Sequence, residues 1–209
     1  MNRKMGMAAS AVTFAAVLAF AICMVFDPSD NGSYVSSLFI SWGFVPMICA
    51  FAAQARADAK AAAYAAIGFA AMYAVMIGLV YFAQITTVRM STLTPQAAAL
   101  LDFSQFGLFF SYDLLGYAFM SMATFFIGLT IAPTDKCGKL LKTLLLAHGV
   151  FAVSCVVLPM LGVFKADMPG GDLIGTLVLE FWCVYFMPVC ALAWRHFRKT
   201  SPNQITAIS

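Results

Sequence analysis

Charged residues are scarce in this chain: Asp, Glu, Lys and Arg make up only 10% of its 209 residues, whereas an average soluble domain has about 25%. Long polar stretches are also lacking, apart from a short tail after Lys199. Hydrophobic residues account for 63% of the sequence. A water-soluble fold needs more polar surface than this composition supplies. The composition therefore predicts a protein whose solvent is the lipid bilayer.

Motifs that carry chemistry are equally rare. None of the six cysteines lies in a CxxC pair, and the two histidines, His148 and His196, are too few and too far apart in sequence for a zinc site. There is no P-loop, nucleophile elbow or dinucleotide fingerprint, and no basic stripe that would bind nucleic acid. We therefore expect no cofactor, no metal and no nucleic-acid partner, and an enzyme is the less favoured reading.

Six apolar runs are long enough to cross a bilayer core, which takes roughly 20 residues. They lie near 7–27, 34–54, 61–87, 106–131, 140–164 and 172–195. The sequence thus predicts an all-α fold: a single six-helix transmembrane domain over 1–199, with the first run retained as a helix, and a short tail at 200–209. Thr94-Pro95-Gln96 resembles a helix start and predicts a short helix at the membrane surface between the third and fourth spans. A plain loop is the alternative.

The basic residues predict the orientation of the chain. Ten of the 12 Lys and Arg residues fall on one side of the predicted topology, and only Arg89 and Lys165 fall on the other. Because basic loops stay in the cytoplasm, we expect a multi-pass protein of the bacterial inner membrane with both termini cytoplasmic. Pro46, Pro159 and Pro188 lie within runs and predict kinks or helix ends.

Alanines at close helical spacing predict helix contacts within the bundle, because small residues let helices approach closely in lipid. The predicted contact stripes are Ala8, Ala11, Ala15 and Ala19 in the first span, and Ala62, Ala66 and Ala70 in the third.

Two carboxylates lie inside predicted spans, Asp113 in the fourth and Glu180 in the sixth. Polar groups at such depth are costly and usually face the bundle interior or a wet cavity. At about 1.5 Å per residue, both acids should sit roughly 10 Å below the outer boundary. Arg89, at the end of the third span, is the expected cation to neutralise one of them. His148 is predicted to be a structural residue, with a proton relay as the alternative.

These residues predict an outward-open polar pocket between the third, fourth and sixth spans. Its candidate ligand-binding residues are Gln84, Thr87, Arg89, Tyr112, Asp113, Tyr117 and Glu180, with Trp42 and Trp182 as aromatic walls. The function this favours is binding or transport of a small molecule or ion. One alternative is a hydrogen-bonded cluster that only joins helices, in a structural or regulatory protein that contacts a membrane partner or a second copy. Another is an intramembrane enzyme that uses Tyr112, Asp113 and Glu180.

Two segments resemble a known family. Tyr81–Arg89 reads YFAQITTVR and Leu115–Ile131 reads LGYAFMSMATFFIGLTI. They look like hallmark stretches of the DUF4386-like family of bacterial six-helix membrane proteins, in which an acid precedes LGY, here Asp113, and a glutamine lies near the end of the third span, here Gln84. Ile85 departs mildly from the leucine usual in that family. The resemblance implies the six-helix layout and brings no activity.

Overall fold

The computed structural model describes residues 1–27, 30–164 and 171–199, and every regular element in these ranges is helical. The α-helices are α1 (Asn2–Phe26), α2 (Asn31–Ala52), α3 (Lys60–Ala83), α4 (Pro95–Leu101), α5 (Leu108–Thr130), α6 (Lys136–His148), α7 (Val150–Met160) and α8 (Gly171–Lys199). Six helical segments are long and apolar enough to cross a membrane, one of them formed by α6 and α7 together. The predicted all-α, six-span architecture is confirmed, and the chain is a multi-pass membrane protein.

Two features named in the sequence analysis, Lys165 and the tail 200–209, lie outside the described residues.

The long helices pack in a simple order. Helix α2 contacts α1 and α3, α1 also contacts α8, and α5 contacts α3, α6 and α7. At the centre, the Phe44 ring of α2 lies 5.4 Å from Tyr73 of α3 and 6.2 Å from Phe186 of α8. Helices α1 and α2 meet closely at Gly43, where an added Cβ would lie 2.5 Å from Thr13 Oγ1. A residue without a side chain is needed for this approach.

Two of the spans are not uniform α-helices. Helix α3 continues into a π-helical turn, Gln84–Val88, which leads towards the short helix α4. Thr94 caps α4 by accepting a hydrogen bond from the Ala97 N–H at 3.3 Å, so the predicted surface helix is confirmed. The fifth span divides at Gly149 into α6 and α7, a break that its continuous apolar run does not predict.

Contacts at one end of the bundle bring together the N-terminus, the α2 end, the α5–α6 loop and the α8 end. Arg3 donates a hydrogen bond to the Arg198 carbonyl oxygen at 2.8 Å, and Gln54 Oε1 lies 3.0 Å from His196 Nε2. Lys199 donates to the Asp135 carboxylate at 2.6 Å. We call this the basic end. The opposite end, called the cap end, holds the π-helical turn, α4 and the start of α5.

The predicted contact stripe of α1 is wrong. Ala8, Ala11 and Ala15 are exposed on the outer surface of the bundle, and Ala19 is only half-buried. Helix α1 instead buries the neighbouring face, which includes Ser10 and Thr13. These hydroxyls bond to carbonyl oxygens of their own helix, at 2.7 and 2.9 Å, and so can be buried without cost to packing. In α3 the stripe does pack, with Ala66 and Ala70 fully buried.

Candidate functional site

Asp113 is the buried acid of the bundle. It lies on the interior face of α5 together with Tyr117, Met120, Thr124 and Gly128, as the helical spacing predicts. Its side chain is only 3% exposed, and it follows the first residue of α5 by five positions, or about 8 Å along the axis. Among the described residues Asp113 forms no ion pair, and its Oδ1 atom has no hydrogen-bond partner.

Hydroxyl groups surround this carboxyl group. Tyr81 of α3 lies beside Asp113 and near Ser37 of α2. Tyr73 of α3 and Tyr117 of α5 lie within electrostatic range of the carboxyl group, and their rings are 5.9 Å apart. Both hydroxyl oxygens are buried and, within the described ranges, accept and donate no hydrogen bond. We call Asp113, Tyr73, Tyr81 and Tyr117 the Asp113 cluster.

Gln84 does not line an open pocket, because its amide holds the surface segment in place. Its Nε2 donates to the Leu101 carbonyl oxygen at 2.8 Å, and its Oε1 accepts from the Phe103 N–H at 3.1 Å. The Phe103 ring lies 6.0 Å from Tyr81 and 6.2 Å from Tyr34, on the cap side of Asp113. Gln84 thus joins the end of the third span to the surface segment, and the Phe103 ring lies beside Tyr81 of the cluster. An outward-open pocket stays a prediction.

Glu180 is half-buried on α8 and lies near Cys183, one turn further along the same helix. No hydrogen bond among the described residues joins its carboxyl group to that of Asp113. One carboxylate oxygen, Oε1, is buried without a partner in the described part of the chain. Matched depth in two helices does not bring two side chains together, because each helix is also rotated about its own axis.

Four further candidates point away from the Asp113 cluster. Arg89 is exposed and makes no ion pair with any described residue, so it does not neutralise either acid. Thr87 is exposed although Gln84 is buried, because a π-helical turn rotates side chains differently from an α-helix. Tyr112 is 37% exposed. No hydrogen bond among the described residues joins Tyr112, Asp113 and Glu180, the three groups of the enzyme hypothesis.

Trp42 is the fourth candidate that points away from the Asp113 cluster, and it lies on the outer surface of α2. Its side chain is 59% exposed and its ring meets that of Phe39 edge-on, with centroids 5.2 Å apart. Both residues line an apolar surface groove between α2 and α3. Trp42 is thus not a wall of the polar site.

Trp182 links the Asp113 cluster to a second polar network. Its ring meets Tyr117 edge-on at 5.4 Å, and its Nε1–H donates to His148 Nε2 at 3.1 Å. His148 Nδ1 lies 2.8 Å from the Thr124 hydroxyl, which itself donates to the Ser121 carbonyl oxygen at 2.8 Å. The hydroxyl must therefore accept from Nδ1–H, so the imidazole is neutral with its proton on Nδ1. With both ring nitrogens occupied, His148 joins α5, α6 and α8.

No group of three His, Cys, Asp or Glu side chains that could hold a metal ion occurs in the described ranges. Sequence reasoning missed Tyr73, Tyr34 and Phe103. Tyr73 could have been found, because it lies eight residues before Tyr81 on the same helix face.

Comparisons of the chain with protein-family models, with curated proteins and with solved structures give no match.

Proposed function

We propose that this protein binds a proton or a small monovalent cation at Asp113 and that this binding serves transport across the membrane. The observation that carries the proposal is a carboxyl group that is buried, has an unpartnered oxygen and has no cation beside it among the described residues. An ionised carboxylate in such surroundings is very costly. It is therefore neutral when a proton occupies it, or it is compensated by a bound cation.

The surroundings of Asp113 support an ion in preference to a larger molecule. The titratable side chains that face it are Tyr73 and Tyr81 of α3, Tyr34 of α2, Tyr117 of its own helix and Cys155 of α7. Tyrosine hydroxyls can donate to a carboxylate or offer an oxygen to a cation. The Tyr117 ring contacts those of Tyr73 and Trp182, which leaves little room for a bulky ligand.

The orientation of the site is part of the proposal. Because basic residues gather at one end of the bundle, that end faces the cytoplasm by the positive-inside tendency, and we place the protein in the bacterial inner membrane. Asp113 then lies in the outer half of the membrane, near the cap end. Membership in the DUF4386-like family stays a prediction that rests on the two sequence segments alone.

Trp182 offers a direct test, since its ring contacts Tyr117 of the cluster. The other tryptophans, Trp42 and Trp194, are replaced by phenylalanine, and the fluorescence of the purified protein is followed against pH and against Na⁺ or K⁺, with choline as the inert cation. We expect a saturable change that Asp113→Asn abolishes. Glu180→Gln is the matched control, because it removes an acid outside the cluster, and it should leave the change intact.

Two results would contradict the proposal: a response that persists in Asp113→Asn, or a response that depends on Glu180 instead. Transport is then tested in liposomes that contain a pH-sensitive dye, in which Asp113→Asn should remove the flux that the parent protein catalyses.

A second candidate function is a membrane partner protein that acts through helix contacts. The exposed alanine face of α1, formed by Ala8, Ala11 and Ala15, favours it because small residues allow close helix association in lipid. Substitution of Ala11 by leucine should then weaken association of the protein in native membranes, as judged by crosslinking, while the fluorescence response of Trp182 is unchanged.

A further inference from the structure

The surface segment over the Asp113 cluster is held by few contacts. Helix α4 has no buried residue, and neither has the short 3-10 helix Phe103–Gln105 that follows it. Its attachment to the spans comes from the two hydrogen bonds of the Gln84 amide, from the rings of Phe103 and Phe106, and from the contact of α4 with the start of α5. Segments with few buried contacts open locally at low free-energy cost.

The Phe103 ring fills the space between the segment and the cluster. It contacts Tyr34 of α2, Tyr81 of α3 and Phe110 of α5, with centroids at 6.2, 6.0 and 5.2 Å. Tyr81 in turn lies beside Asp113. One side chain from the segment thus packs between three spans next to the Asp113 cluster.

The backbone is unusual on both sides of the segment. Before it in the chain, Gln84 begins a π-helical turn, a feature that often marks functional sites in helices. At the other end Phe106 has a positive φ of 54°, which is uncommon for a bulky residue. Next to it, a Cβ on Gly107 would lie 2.0 Å from the Ala99 carbonyl oxygen, so only glycine permits the return of the chain into α5.

We propose that residues 94–106 form a gate over the Asp113 cluster, with Gln84 as its latch and Phe103 as its plug. The inference rests on the proposed function, since it concerns how an ion reaches Asp113 from the cap end. When the two Gln84 hydrogen bonds break, the segment lifts and Phe103 leaves its place between the spans. Water and the ion then reach Tyr81 and Asp113.

The experiment measures access to a position beneath the plug. Ser37 is fully buried and lies near Tyr81, so Ser37→Cys places a near-isosteric thiol close to the tyrosine that Phe103 contacts. The protein in lipid nanodiscs is treated with a charged thiol reagent that does not enter lipid, and labelling at position 37 is quantified by peptide mass spectrometry. This readout distinguishes position 37 from the native cysteines and does not depend on ion binding.

The latch and the plug are removed separately. Gln84→Met keeps the side-chain volume and deletes both hydrogen bonds, and Phe103→Ala deletes the ring. Each should accelerate labelling at position 37 by about tenfold, as the loss of contacts of this kind implies. Phe126→Ala is the matched control, because Phe126 stacks on Phe69 at 5.6 Å away from the gate, and it should leave the rate unchanged.

Equal rates in the parent and the gate variants would overturn the gate, as would an equal acceleration in Phe126→Ala. Rapid labelling in the parent, or none in any variant, would also overturn it, because residue 37 would then not lie behind this barrier. Melting curves of each variant serve to check that it keeps the fold of the parent protein. The fluorescence test with Asp113→Asn is independent, so a failed gate and a failed ion site are distinguishable.

Discussion

The carboxyl group of Asp113 meets hydroxyl groups where a buried acid ordinarily meets a cation. Tyr81 lies beside it, while the Tyr73 and Tyr117 hydroxyls nearby stay unpartnered among the described residues. Unpartnered buried hydroxyls lower stability, so stability alone does not explain why two tyrosines occupy positions that phenylalanine would fill. A ligand that uses these oxygens would explain them.

This argument predicts that Tyr73→Phe and Tyr117→Phe do not lower the stability of the protein, because neither hydroxyl makes a hydrogen bond. The matched control is Tyr185→Phe, since the Tyr185 hydroxyl donates to the Leu144 carbonyl oxygen. Its loss should cost about 0.5–1.5 kcal/mol. Denaturant titration in detergent measures all three. Destabilisation by Tyr73→Phe as large as that by Tyr185→Phe would mean that the hydroxyl has a structural partner.

His148 provides the opposite case, a buried polar group whose two nitrogens are both bonded. Thr124→Val removes the oxygen that accepts from Nδ1–H and leaves that donor buried. We expect a loss of about 1–3 kcal/mol in the free energy of unfolding. Thr124→Ser retains the hydroxyl and should recover most of it. If valine and serine behave alike, the hydrogen bond does not stabilise the protein.

At the scale of the helices, the apolar runs of the sequence predict the number and the length of the spans but not the breaks within them. Each run is long enough to span, so the six segments follow from length and composition. The break at Gly149 could not be predicted, because the residues on both sides of it are apolar and the break arises where His148 turns to Thr124 and Trp182. The π-helical turn at Gln84 likewise depends on a contact with Leu101 at the end of α4, 17 residues further along the chain.

Helix rotation limited the prediction of the candidate site in the same way. Spacing along one helix identified the interior face that carries Asp113 and Tyr117, and both are buried. Spacing does not tell how neighbouring helices are turned, so Glu180, Trp42 and Tyr112 were assigned to a cluster that they do not join. Arg89 is long and sits at a helix end, where it reaches the water rather than a buried acid.

Asp135 connects three elements at the basic end and predicts a pH dependence. It caps α6 by accepting from the Gly138 N–H at 2.7 Å and accepts from Lys199 of α8 at 2.6 Å. The hydrogen bond from Lys199, followed by that from Gly138, lowers the pKa of Asp135 below its usual value. A lowered pKa in the folded state stabilises the protein at neutral pH, and this contribution is lost as the pH falls below about 4.

Asp135→Asn should therefore lower the melting temperature at neutral pH, and the difference from the parent should shrink in acid. Asp58→Asn is the control, because Asp58 pairs with Arg56 only two residues away on an exposed loop and joins no second span. A difference between parent and Asp135→Asn that is constant across pH would show that the carboxylate charge does not hold α8 to this loop.

At the scale of the whole molecule, the basic residues and the Asp113 cluster lie towards opposite ends of the bundle. The basic residues surround the termini and the α5–α6 loop, whereas the Asp113 cluster and its gate lie towards the other end. A cation that approaches the cap end meets no cluster of positive charge in the described residues there, with Arg89 as the exposed exception. The separation is what an outward-facing ion site requires, provided that the basic end is cytoplasmic.

That condition is tested by thiol labelling in intact cells. Cys137 lies in the first turn of α6 at the basic end, and Ser91→Cys places a thiol on an exposed residue at the cap end. If the basic end is cytoplasmic, an impermeant reagent outside the cells labels position 91 and spares Cys137. In inverted membrane vesicles the preference reverses. Labelling of Cys137 from outside the cells would show that the protein has the opposite orientation, and the Asp113 cluster would then take its ion from the cytoplasm.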